Sequence, residues 1–115
     1  MIMGEKKVSR TIVEVPMKTN NVDEILHIIS MKMEPAGYTK KIVDGEDVWT
    51  KGDGVMLKMQ CVGAVFTGKS VLIQGWMKDA ITGESNLEGF VAMLPKRKLK
   101  NLIDEIRTTI ISRNL

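Results

Sequence analysis

From Tyr38 to Lys78 the hydrophobic period is two rather than 3.6, and turn signals cut the stretch into four pieces. Tyr38–Val43 and Glu46–Lys51 flank Asp44-Gly45, a two-residue hairpin signal because both turn positions require positive φ. Gly52-Asp53-Gly54 makes the next turn, and Val55–Val62 then alternates. Its pattern puts Val55, Leu57, Met59 and Cys61 on one face and Met56, Lys58 and Gln60 on the other. Thr67-Gly68-Lys69 leads into Ser70–Lys78, where Val71, Ile73, Gly75 and Met77 oppose Leu72, Gln74, Trp76 and Lys78. Parallel strands need crossover connections of a dozen residues or more. Four strands joined by turns this short must run antiparallel.

The flanks supply what covers such a sheet. Thr11–Val15 is a β-branched strand stopped by Pro16. Asn20 or Asn21 caps a helix near 21–34, with Val22, Ile25, Leu26, Ile29 and Met33 on one side and Pro35 and Gly37 ending it. Pro95 suits the first position of a second helix, 95–112, with Leu99, Leu102, Ile103, Ile106 and Ile110 as its buried stripe. Residues 79–94 give no clear pattern. The expectation is an α+β domain over 10–115, in the order β-α-β-β-β-β-α, after a loose arm at 1–9. Both helices pack on one face of a five-stranded antiparallel sheet.

Residues 63–70, GAVFTGKS, match the phosphate-loop pattern G-x-x-x-x-G-K-[ST]. That loop holds phosphate only where a strand delivers it to a helix N-terminus. Here VLIQGWMKD follows, which reads as a strand. Gly63, Gly68, Lys69 and Ser70 are therefore assigned to a hairpin and not to a nucleotide site.

Other chemistry is sparse. His27 is the single histidine and Cys61 the single cysteine, which excludes an internal disulfide and leaves no recognisable triad or metal set. Asp44, Glu46, Asp47 and Asp53 read as solvated turn residues. No cofactor is implied. A net charge of +3 is short of a nucleic-acid footprint, so nucleic acid ranks low among partners. No run approaches the ~18 apolar residues of a membrane span, and the expected location is the cytoplasm.

Two surfaces remain. Lys96, Arg97, Lys98 and Lys100 open the last helix, where its dipole disfavours cations, and they form a candidate anion site. Trp76, Met56, Leu72 and Trp49 are expected on the uncovered sheet face, a candidate interface.

The element order is similar to one half of the TATA-box-binding protein fold and, more loosely, to helix-grip lipid binders. This implies an architecture, not DNA binding. Trp49-Thr50-Lys51-Gly52, Trp76-Met77-Lys78, Gly89-Phe90 and Leu94 through Lys100 also resemble motifs of a group of uncharacterised small bacterial proteins. That resemblance brings no activity. The functional expectation is a non-enzymatic interaction module that forms a homodimer through the open sheet face. The alternative is a carrier of a small apolar ligand, held in a cavity between the sheet and the C-terminal helix.

Overall fold

A computed structural model describes residues 9–52, 58–79, 83–88 and 93–115. The elements are β1 (Thr11–Pro16), α1 (Val22–Met33), β2 (Thr39–Val43), β3 (Glu46–Lys51), β4 (Met59–Phe66), β5 (Ser70–Asp79), β6 (Gly83–Ser85) and α2 (Met93–Ser112). All strand pairs are antiparallel, and the sheet runs β1-β5-β4-β3-β2. One side of β5 pairs with β4. The other takes β1 along residues 70–75 and β6 along 77–79. The α+β architecture is the expected one, with a sixth short strand drawn from the stretch that gave no pattern.

Local chemistry explains the boundaries. The Asn21 side chain accepts a hydrogen bond from the Glu24 amide at 3.2 Å, and Asp23 and Glu24 sit in the first turn of α1. That helix stops where the Tyr38 amide reaches back to the Met33 carbonyl around Gly37, whose φ is 93°. The β2–β3 hairpin turns on Asp44 and Gly45 at φ 52° and 81°, the positive values its sequence announced. α2 begins at Met93, two residues earlier than expected from Pro95, which still lies in the first turn and so breaks no helical hydrogen bond.

The main core lies on one face of the sheet. Ile25, Ile28, Ile29 and Met33 of α1 and Leu99, Ile103, Ile106 and Ile110 of α2 meet Val15, Val62, Val71, Ile73 and Met77. Gly75 sets how closely α2 approaches. A Cβ there would lie 2.6 Å from Ile103 Cδ1 and 2.8 Å from Leu87 Cδ1, so those two side chains would have to shift to admit one.

Register corrects two assignments of face. Trp49 pairs with Val62 and Gln60 with Met77, so all four lie on the helix side, whereas Cys61 pairs with Trp76 on the outer face. Trp49, expected to face outward, instead packs against the main core. Met59 and Cys61 point outward and Gln60 inward, the reverse of the expectation for that strand. The reason is that Cys61 and Val62 are both fully buried. With apolar neighbours on both faces, alternation does not reveal which face meets the helices. Val48, Cys61 and Trp76 form a second, smaller cluster on the outer face, joined by Val43 and Met59.

Candidate functional site

The four residues expected to form an exposed interface do not share one open face. Trp76 does lie on the face away from the helices, yet only 1% of it is exposed. Arg10 covers it, with the guanidinium carbon 3.7 Å from the ring centroid. Leu72 is half-buried, Trp49 is on the helix side, and Met56 lies outside the described residues. Trp76 is therefore corrected from interface to core. Two outer-face residues that the sequence reading passed over, Ile12 and Val65, are exposed beside Leu72.

The Arg10 guanidinium is itself enclosed. Its Nε and Nη2 donate to the two carboxylate oxygens of Glu84, both at 2.8 Å. Nη1 and Nη2 donate to Glu46 at 2.9 and 2.6 Å, and Nη1 also donates to Gln74 Oε1 at 2.9 Å. Hydrogen bonding to Glu84 and then Glu46 pushes the guanidinium still further above its ordinary pKa, and the same bond from Arg10 holds the Glu46 carboxyl below its ordinary value. Lys78, nearby, pairs with Asp44. Burial pushes the Cys61 thiol up to about 12, so no thiolate forms near neutral pH. The Trp76 Nε1 atom is buried without a hydrogen-bond partner.

The basic start of α2 is divided rather than gathered. Lys96 is only 5% exposed, and its ammonium donates to the Glu88 carbonyl at 2.7 Å. It falls three residues before Leu99, on the stripe that continues through Ile103, Ile106 and Ile110, so it is buried with that stripe. That spacing was readable in the sequence. Lys100 pairs with the Glu88 carboxylate at 3.0 Å, while Arg97 and Lys98 remain exposed. The four cations do not converge on one anion.

Residues 63–70 end β4, turn through Gly68 at φ 91°, and open β5. The Thr67 hydroxyl accepts from the Ser70 amide at 3.0 Å, and the Thr67 amide donates to the Ser70 carbonyl. A strand follows Lys69, so the loop lacks the helix that would present phosphate with amides and a dipole. His27 is exposed on α1.

A groove of about 440 Å³ opens between the start of α2 and the adjacent end of the sheet. Tyr38 and Gln60 meet in it, the hydroxyl donating to Gln60 Oε1 at 2.8 Å. Burial pushes the Tyr38 phenol up to about 12, which keeps it a donor at physiological pH. Ala36, Leu94, Pro95 and Leu102 give apolar wall, and Lys51, Lys98, Asn101 and Glu105 give polar wall. Lys51 is steadied by donating to the Ala36 carbonyl at 3.0 Å. On the other side of Tyr38 a second groove, about 600 Å³, runs between α1 and β2, and includes Trp49. Among the described residues no group of acidic, histidine or cysteine side chains is arranged to hold a metal, and no helix is long and apolar enough to cross a membrane. No family model matches the chain, and neither a curated protein nor a solved structure matches it.

Proposed function

We propose that this protein is a small-molecule binding module, taking an amphipathic ligand in the groove between α2 and the sheet. One observation carries this reading: a concave site of about 440 Å³ in which an apolar wall faces a few fixed polar groups. Ligand pockets have this size and this mixed lining. The space is an open groove at the end of the sheet rather than a cavity within the helix–sheet interior. Leu99, Ile103, Ile106 and Ile110 fill the middle of the helix–sheet interface, and the groove opens beyond them. Leu94, 60% exposed, offers a surface for a chain or ring, and Lys98 offers a cation for an acidic end.

Octanoate is a suitable probe, with an alkyl tail ending in one carboxylate. Amide chemical shifts should move saturably at Gln60, Lys98, Asn101 and Leu102 and stay put at Ile12 and Val65. Asn101→Trp, an exposed position that fills the groove, should abolish the response. Unsaturable shifts, or equal shifts in Asn101→Trp, would sink the reading.

A second reading, self-association through the outer sheet face, is favoured by Ile12 and Val65, 56% and 44% exposed beside Leu72. Its interface centres on these three rather than on Trp76.

A further inference from the structure

We propose that Glu46, Gln74, Trp76 and Glu84 form a guanidinium-binding site on the outer face of the sheet. Arg10 fills it as an intramolecular ligand, and a free alkylguanidinium takes its place when that side chain is removed. A guanidinium has five N–H donors in a rigid planar fork. The five hydrogen bonds to Glu84, Glu46 and Gln74 use one at Nε, two at Nη1 and two at Nη2, so every donor is matched. The open face of the ion lies on the Trp76 ring. An ammonium, a point charge with three donors, cannot reproduce two bidentate pairs and a stack.

The walls of the site come from elements other than β1, the strand that follows Arg10. Glu46 comes from β3, Gln74 and Trp76 from β5, and Glu84 from β6. β5 pairs along its length with β4 and at its end with β6, which holds Gln74, Trp76 and Glu84 in place, while β1 flanks them by pairing Ile12 with Gln74. Two carboxylates face one guanidinium, and Lys78, the other cation close to Glu46, is engaged with Asp44. An emptied site therefore retains excess negative charge over an aromatic floor, the chemistry that attracts a planar organic cation.

The test is to empty the site and refill it. Trp49→Phe leaves Trp76 as the sole indole, since the chain has two tryptophans. In that background, Arg10→Ala titrated with ethylguanidinium should show a saturable change in indole fluorescence, with a Kd on the order of 1 mM for so small a ligand, and a raised Tm. Ethylammonium at equal ionic strength should do neither. With Arg10 present the site is filled, and ethylguanidinium should give no saturable change. Adding Glu84→Gln to Arg10→Ala should weaken binding at least tenfold. Should Arg10→Ala fail to fold alone, near-ultraviolet circular dichroism reads its recovery. Recovery with ethylguanidinium and not with ethylammonium supports the site. A linear response, an equal response to ethylammonium, or recovery with neither cation overturns it.

Discussion

Trp76 occupies the sheet face that carries no helix, and what removes it from water is a single side chain from the start of the domain. Arg10 lies across its ring, Cys61 and Val48 pack beside it, and its far edge lies over Gly63. A buried aromatic of this kind contributes as core, whatever face it is on. Trp76→Ala is expected to cost about 3–5 kcal/mol. Leu72→Ala, two residues along the same outer row and half-buried, should cost about 1 kcal/mol or less. Urea unfolding with the slope checked for constancy measures both. A Trp76→Ala cost no larger than that of Leu72→Ala would return the indole to the surface. Strand parity placed Trp76 on the correct face from the sequence alone. Its cover was not legible, because Arg10 is 66 residues away in the chain and meets it only through the β1–β5 pairing.

At the scale of elements, what could be read was what is decided locally. The Asp44-Gly45 hairpin, the Asn21 cap and the arrest of α1 at Gly37 each depend on a few neighbouring residues, and each stands where the sequence put it. β4 was read on the wrong side because it is buried on both faces at Cys61 and Val62. The start of α2 was misread for another reason. Charge was weighed residue by residue, when the helical stripe running back from Leu99 already included Lys96. The two kinds of cation there should now separate by mutation. Lys96→Glu places a carboxylate against the Glu88 carbonyl in a buried position and is expected to destabilise by about 1–3 kcal/mol. Arg97→Glu, exposed just past the first turn, should be neutral or stabilise by at most about 0.3 kcal/mol at low salt, because the helix dipole favours an anion near that end. Thermal unfolding of the two variants at low and high salt distinguishes them. The Arg97→Glu gain should fade with salt and the Lys96→Glu loss should persist. Equal behaviour of the two would mean that Lys96 is ordinary solvated surface.

For the whole molecule, the sheet is covered by helices on one face and only partly closed by the Arg10 network on the other. Beyond that network the outer face continues as Ile12, Leu72 and Val65, crossing β1, β5 and β4 at one end of the sheet. Glu14 lies among them, held by the Ser70 hydroxyl at 2.9 Å. Three aliphatic side chains fall well short of the ~800 Å² per partner of a standard interface, and a carboxylate in their midst opposes full desolvation. If two copies do meet through this strip, as the second reading proposes, the expected Kd is on the order of 100 μM to 1 mM. Sedimentation equilibrium should find a monomer at about 10 μM and a growing dimer fraction towards about 1 mM. Ile12→Lys with Val65→Lys, both at exposed positions, should keep the protein monomeric throughout without changing its circular dichroism. A wild type that stays monomeric at the upper concentration ends the self-association reading. A dimer that survives both lysines moves the interface off this face, and β1 or β2, the edge strands among the described residues, becomes the place where two copies would meet.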